Sequence, residues 1–500
     1  MENNTPIAAV SKPLSPVIIF SSIILLMGIV IAISMYTLSS QSLRLDESQS
    51  LWQTTHSLSQ MLYVVAQDVH VPLYHLILRS WQLVFGNDVT VNRYLSLIFY
   101  VLSIPLFYIF GALMYSRRVA LFATLIYSLS PMMNWYGNEI RMYSLLTLVT
   151  LINQYFFVKL FRDSTTPKKS AWVGYTISAL FGIYTHYFFF LTLATQAIFY
   201  CVHRKLFHPS AIWRGVLSGT IILAAIAPWI IYVYELGKIS NSEPLLPKPS
   251  TIDIFNTFSQ FMFGFQTDPI NTVLVSLWPI SVLLIFLSLR KSTRVSTDTI
   301  YMVYSLILPN VLLFVASFII SPVYLSRYLI FTAPYLYLLL SWLFSTYTPR
   351  VESTAKVLFV GLVVLTLVIE LASTQTPTKE DYADATEYLN THATTRDVIA
   401  VSAPFTIYPV EYYYHGAAEL ATLPIWDRSK LGPIPPFNAG TFPGEIDTLK
   451  AGHQNFWLLQ SYDQGYQEKM RIYFDTHFQR LQSVVFSQGL TLYEYKLRYD

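Results

Sequence analysis

The chain has 500 residues, of which 53% are hydrophobic, 16% aromatic and only 12% charged. Soluble chains carry roughly 25% charged residues, so this composition excludes an ordinary soluble enzyme and predicts an α-helical polytopic membrane protein. The net charge of +3 gives no sign of a nucleic-acid partner, and the single cysteine, Cys201, excludes an internal disulfide or a cysteine-based metal cluster.

The first apolar run, from about Leu14 to Leu38, is longer than a signal-peptide core and has no clear cleavage site. It reads as a retained first span. Further spans are expected near 93–113, 118–133, 143–161, 171–186, 188–202, 212–234, 271–289, 300–320, 327–347 and 355–372, about eleven in all. Several fall short of the roughly 20 residues a straight crossing needs, so some would be tilted or sheltered by neighbours. Alternate connections hold Arg117 with Arg118, Lys159 to Lys169, Arg204 to Arg214, Arg290 to Arg294, and Arg350 with Lys356. The positive-inside rule puts these loops and the N-terminus in the cytoplasm, as for a multi-pass plasma or inner membrane protein.

Residues 39–91 then form one large external loop. If HVPLYHLILRSWQLVFG, residues 70–86, crossed the membrane, Arg117 and Arg118 would land outside, and Arg79 would sit within the span at a cost of a few kcal/mol. The preferred reading of 71–86 is a helix lying along the outer surface, with a short true span as the alternative.

From about Thr376 the composition turns soluble and mildly acidic, with ten Lys/Arg against fifteen Asp/Glu in 376–500. DYADATEYLNTH reads as an amphipathic helix, DVIAVSA as a buried strand, and NFWLLQS, RLQSVVFS and LTLYEYKL as strands around a helix near 464–478. The chain therefore divides into a membrane domain, 1–375, and a small extracytoplasmic α/β domain, 376–500.

The unusual polar residues gather on the expected outer face. Asp46 and Glu47 stand side by side in LRLDESQSLW, residues 43–52, just after the first span. Adjacent carboxylates suit acid–base chemistry or cation binding, but also an ordinary first helical turn. Glu139 and Arg141 follow in NWYGNEIRMYSLL, where a snorkelling arginine beside a glutamate is the structural alternative. His186 lies in GIYTHYFFF, where a packed, hydrogen-bonded imidazole is the plain reading, and Arg327 opens the tenth span. His70 and His75 add two imidazoles to the first loop.

Such a set is costly at a membrane unless it is used. Arginine suits phosphate through its planar fork, and a carboxylate suits orienting or deprotonating a hydroxyl. A substrate with a surface phosphate and an apolar tail would satisfy both, and polyprenyl-phosphate sugars have that form.

The order of these elements also resembles a known family. DE in the first external loop, HVPLY, RYLSLIFYVLSIPLFY, SLSPMMNWYGNEIRMYSLL and SRYLIFTAPYLYLLL, over roughly 15–345, are similar to GT-C glycosyltransferases of the family 39 type. These include protein O-mannosyltransferases and the lipid A aminoarabinose transferase. The resemblance implies an integral membrane glycosyltransferase that moves a sugar from a polyprenyl-phosphate donor to a hydroxyl acceptor among lipids, glycans or proteins. It implies no nucleotide cofactor.

By the same resemblance Asp46 is the catalytic base or a metal contact, with Glu47 supporting it. His70 takes the place of the family's His/Lys before Pro-Pro-Leu, although Val71 replaces the first Pro. Glu139 and Arg141 match the acidic-then-Arg element; His186 and Arg327, read from their place on the same face and not from the resemblance, join them as candidate substrate-binding residues. A divalent ion at Asp46 and His70 is left open. The WWDYG-type sequence of oligosaccharyltransferase catalytic subunits is absent. The competing reading is a transporter or flippase of a lipid-linked substrate; it would call for paired inverted halves and midplane charges.

Overall fold

The computed structural model describes residues 14–68, 70–162, 168–237, 246–276, 295–347, 352–373, 380–428 and 434–497. The helices follow in chain order as α1 (Pro16–Leu38), α2 (Leu45–Thr55), α3 (Leu58–Gln67), α4 (Leu73–Phe85), α5 (Val89–Met114), α6 (Arg117–Leu129), α7 (Pro131–Gly137), α8 (Tyr143–Arg162), α9 (Lys169–Thr185), α10 (Phe189–Val202), α11 (Ala211–Gly237) and α12 (Thr251–Phe263). Helices Thr297–Ile319, Ala333–Tyr347 and Glu352–Ala372 complete the apolar part.

Among the described residues, seven helices are long and apolar enough to cross a membrane by length and composition. They include α1, α5, α8 and α11, and their outer faces carry exposed Val17, Phe20, Leu223 and Leu358. Apolar side chains exposed over a whole helix face are stable in hydrocarbon, not in water. α6, α9 and α10, with 13, 17 and 14 residues, are shorter than a straight crossing, as their apolar runs implied.

Two expected spans differ in detail. The run at 118–133 is broken at Ser130, whose hydroxyl caps α7 while Pro131 takes the first helical position. Proline there lacks an N–H that a helix start would leave unpaired anyway, but in mid-helix it would clash. The run at 327–347 begins as a 3₁₀ segment, Ser326–Thr332, before the α-helix starts. The expected span 271–289 lies outside the described residues beyond 276, as do Arg290, Lys291, Arg294 and Arg350 and the expected domain boundary at 375/376.

The stretch 39–91, expected as an external loop, contains α2, α3 and α4. α4 has 13 residues and buries Tyr74, His75 and Leu78 while Leu83, Val84 and Phe85 are exposed. The C-terminal part forms a five-stranded sheet in the order β2-β1-β3-β5-β4, from β1 (Asp397–Ser402), β2 (Glu419–Thr422), β3 (Asn455–Gln460), β4 (Gln479–Ser487) and β5 (Leu490–Lys496). β1 runs parallel to β2 and β3, whereas β5 is antiparallel to β3 and β4. Every residue of β1 is buried, as expected of a parallel strand covered on both faces.

This sheet domain is fastened to the first loop. The Leu43 amide donates to Tyr413 Oη at 3.0 Å, the Ala383 amide donates to Ser42 Oγ at 3.0 Å, and the Tyr412 hydroxyl donates to the Asn87 carbonyl at 2.9 Å. The first two bonds hold the stretch leading into α2, and so orient its first turn.

Candidate active site

α2 begins immediately after this anchored stretch, and its first turn carries Asp46 and Glu47. Successive helical residues point about 100° apart, so the two carboxylates face different surroundings. Glu47 points inward and is fully buried. Arg93 Nε donates to its Oε1 at 2.9 Å and Nη2 to its Oε2 at 2.6 Å. The amides of Ile140 and Arg44 complete its shell, each at 3.0 Å. The same guanidinium donates to the carbonyls of Leu38, Gln41 and Ser42 at 2.7 to 3.0 Å. Glu47 and Arg93 thus tie together the end of α1, the start of α2, α5 and the turn before α8. Glu47, expected to support Asp46, has both carboxylate oxygens bonded within this buried clamp.

Asp46 points the other way and its side chain is about a quarter exposed (26%). Its Oδ2 lies 3.0 Å from Arg327 Nη1. Burial alone would raise this carboxyl, but Arg327, Arg141 and Arg44 outweigh it and hold it below the usual carboxylate range. Asp46 is therefore an anion at neutral pH.

Arg141 lies in the turn between α7 and α8. Tight packing of α7 on α5 positions this turn: a Cβ at Gly137 would come within 2.5 Å of the Tyr100 ring. Arg141 Nη1 donates to Ser50 Oγ at 3.1 Å and to the Asp46 carbonyl at 3.3 Å, while Nη2 donates to His70 Nε2 at 3.0 Å. Burial and the nearby Arg141 charge keep His70 well below its ordinary pKa, so the imidazole is neutral and can accept that bond. The His70 carbonyl in turn takes the Tyr187 hydroxyl at 3.2 Å.

Glu139 is 3.2 Å from Arg44, whose guanidinium also stacks 3.3 Å from the centre of the Trp135 ring. Burial raises the Glu139 carboxyl to about 7 despite Arg44. His186 is packed among Tyr143, Phe188 and Tyr328, and its Nδ1 accepts from the Phe188 amide at 3.1 Å. That is the packing role its sequence context allowed, one ring away from Arg327, which lies over Tyr328.

The structure therefore brings Asp46, His70, Arg141 and Arg327 into one cluster, with Glu139 joined through Arg44 and His186 at the aromatic edge. Sequence reasoning missed Arg44, Arg93 and Asp68. Asp68 lies 3.4 Å from His70 Nε2 and accepts from Gln53 Nε2 at 2.8 Å, and burial pushes its carboxyl up to about 6. The signal for it was present in the spacing DVH, two residues ahead of His70.

Among the described residues, no group of three or more His, Cys, Asp or Glu is arranged to hold a metal ion. Asp46 and His70 each face a guanidinium, an unfavourable neighbour for a second cation. The donor set does not fit a divalent ion as these side chains stand.

The chain's resemblance to known proteins has two sources. Residues 69–232 match the family described as dolichyl-phosphate-mannose-protein mannosyltransferase, a segment that includes His70, Glu139, Arg141 and His186. Compared by sequence with curated proteins, the chain matches none. In three dimensions it superposes on ArnT from Cupriavidus metallidurans in the apo state with a TM-score of 0.64 and 12% identity, covering 95% of this chain and 98% of that one. The chain therefore has the fold of ArnT over nearly its whole length. It also matches ArnT bound to undecaprenyl phosphate, with a TM-score of 0.61 and 12% identity over the same shares of both chains. The apo oligosaccharyltransferase of Archaeoglobus fulgidus gives a TM-score of 0.51 at 11% identity, over 88% of this chain and 69% of that one.

Proposed function

We propose that the protein transfers a sugar from a polyprenyl-phosphate donor to a hydroxyl acceptor at the outer face of the membrane. The observation that carries this reading is the convergence of Arg141, on the Asp46 backbone carbonyl, and Arg327, on the partly exposed Asp46 carboxylate. Two guanidinium groups beside a single reachable carboxylate make an anion site next to a base. Around them, the Glu139 carboxyl, raised to about 7, leaves the cluster less negative near neutral pH.

The donor phosphate would compete with Asp46 for Arg327. An ion pair this exposed is worth only about 0–1 kcal/mol, whereas a hydrogen bond to a charged group contributes about 1.5–3 kcal/mol. The exchange therefore favours phosphate, and it frees the Asp46 carboxylate and raises its basicity at the moment the donor is bound. The acceptor oxygen then attacks the anomeric carbon, its proton passes to Asp46, and the bond from that carbon to the phosphate oxygen breaks. Polyprenyl phosphate leaves with its developing charge stabilised by Arg141 and Arg327. Glu139 keeps Arg44 in place, and His70 orients Arg141.

An apolar tail has a surface to occupy. A cavity of about 420 Å³ between α8, α9, α10 and α11 is lined by Tyr175, Ile183, Phe190, Leu193 and Leu223. Its Ile183 lies three residues before His186, which supports a lipid path ending near the cleft. The alternating basic loops support a cytoplasmic N-terminus, with domain 1–375 in the membrane and 376–500 outside. The test is to incubate the purified protein with labelled polyprenyl-phosphate sugars and a hydroxyl acceptor. Release of polyprenyl phosphate with sugar on the acceptor is expected; movement of intact donor across vesicles without bond cleavage would instead mean a flippase.

A further inference from the structure

A second cavity, of about 300 Å³, opens between α2, α3 and the segment that follows β2. It is lined by Trp52 from α2, His56 just after that helix, Gln60 from α3, and Trp426, Asp427 and Arg428 from the sheet domain. Its volume is at the small end of the roughly 300–1,000 Å³ range of small-molecule sites. Nothing in the reaction described above uses it.

The lining has two characters at once. Trp52, Tyr408 and Trp426 form an aromatic chain, with ring centres 5.0 Å apart between the first two and 6.2 Å between the last two. The Arg428 guanidinium sits 5.2 Å from the Trp52 ring centre and 5.3 Å from that of Tyr408, pinned by Glu411 at 2.6 Å. His56 Nδ1 lies 2.8 Å from the Trp52 carbonyl oxygen. A carbonyl only accepts, so Nδ1 carries the proton and Nε2 is the ring atom left for a ligand. Gln60 and Asp427 are exposed and supply an amide and a carboxylate.

We propose that this cavity binds a neutral carbohydrate, one or two sugar rings of a glycan acceptor. A sugar ring presents apolar C–H faces, which suit flat aromatic walls, and hydroxyls that both donate and accept, which suit the mixed polar rim. An anion fits poorly, because Arg428 is already paired with Glu411 and Asp427 adds negative charge. A lipid tail fits poorly because half the lining is polar. The position also suits an acceptor: Trp52 follows Asp46 by six residues on the same helix, about 9 Å along its axis. Trp52 and Asp46 point about 120° apart around the helix, so a glycan held at Trp52 would reach the carboxylate by passing around α2 as well as along it. Its assignment as an acceptor subsite rests on the glycosyl-transfer reading, whereas sugar binding itself does not.

The test is saturation-transfer NMR on the full-length protein in detergent, with mannotriose, maltotriose and chitotriose as probes. Transfer to ring C–H protons of at least one trisaccharide is expected, falling at least threefold in Trp426→Ala and in Asp427→Asn. The second variant keeps side-chain size and guards against misfolding of the first. Release of polyprenyl phosphate to a small alcohol should be unchanged in both. Absence of transfer for all three sugars, or equal transfer in wild type and both variants, would overturn the proposal. Sugar binding in a protein that never cleaves the donor would leave the site standing and remove the glycosyl-transfer reading instead.

Discussion

Arg327 Nη1 stands 3.0 Å from Asp46 Oδ2, and both side chains remain partly open to solvent, 35% and 26% exposed. The pair joins the first turn of α2 to the 3₁₀ segment that opens a membrane helix. It is closed enough to hold Asp46 as an anion and open enough for a phosphate to displace the carboxylate.

Removing that arginine should therefore impair donor use more than folding. Arg327→Ala loses one charge-assisted bond to phosphate, about 1.5–3 kcal/mol. At 1.36 kcal/mol per tenfold in rate, that is about ten- to a hundredfold in kcat/KM for the donor. Thermal unfolding should shift little, since exposed pairs contribute only about 0–1 kcal/mol. Unchanged turnover would mean that Arg327 only anchors its helix end.

Glu47→Gln should behave in the opposite way. It leaves Arg93 charged and buried without its partner, and breaking a buried pair costs about 3–5 kcal/mol. A large fall in melting temperature is expected, with whatever protein stays folded retaining turnover. A fully stable but inactive Glu47→Gln protein would return Glu47 to the chemistry.

The contrast between these neighbours shows what the sequence could and could not reveal. Membrane class, the strands β1, β3, β4 and β5, and the gathering of His70, Arg141 and Arg327 near Asp46 were legible, because apolar runs and rare intramembrane charges are local signals. Which of Asp46 and Glu47 faces the cleft was not, because that depends on how α2 is rotated, and the rotation is set by Arg93 far along the chain. Arg93 itself stood in the RYLSLIFY stretch, but its partner could not be read from spacing. The break at Pro131 was hidden within one continuous apolar run. β2, a four-residue edge strand, was too short to show an alternating pattern.

Stability should fall as pH rises through the range where the buried carboxyls ionise. Burial lifts Glu139 from 4.5 to about 7 and Asp68 from 3.8 to about 6. Between about pH 4 and 7 the folded state therefore holds more protons than the unfolded one, so unfolding becomes easier as pH increases. Melting temperatures across that range should decline, and Glu139→Gln should flatten the decline near pH 7. A Glu139→Gln curve identical to wild type would show that Glu139 does not titrate there.

Orientation can be checked in a Cys201→Ser background. A cysteine introduced at Ser116, beside Arg117, should react with an impermeant thiol reagent only after the membrane is opened. A cysteine at Ser483 in β4 should react in intact cells. The reverse pattern would place the cleft on the cytoplasmic face.

The most direct test of the central claim is Asp46→Asn, measured for donor turnover and thermal stability together. Asparagine keeps the size and most hydrogen bonds of Asp46 but removes its charge and basicity. If Asp46 accepts the acceptor's proton, turnover should fall by at least the roughly 10²-fold attached to general-base assistance. Folding should barely change, because the side chain faces a cleft and not the core. A folded Asp46→Asn protein that turns over donor at the wild-type rate would contradict the account, leaving Asp46 as a helix-start residue worth a few tenths of a kcal/mol.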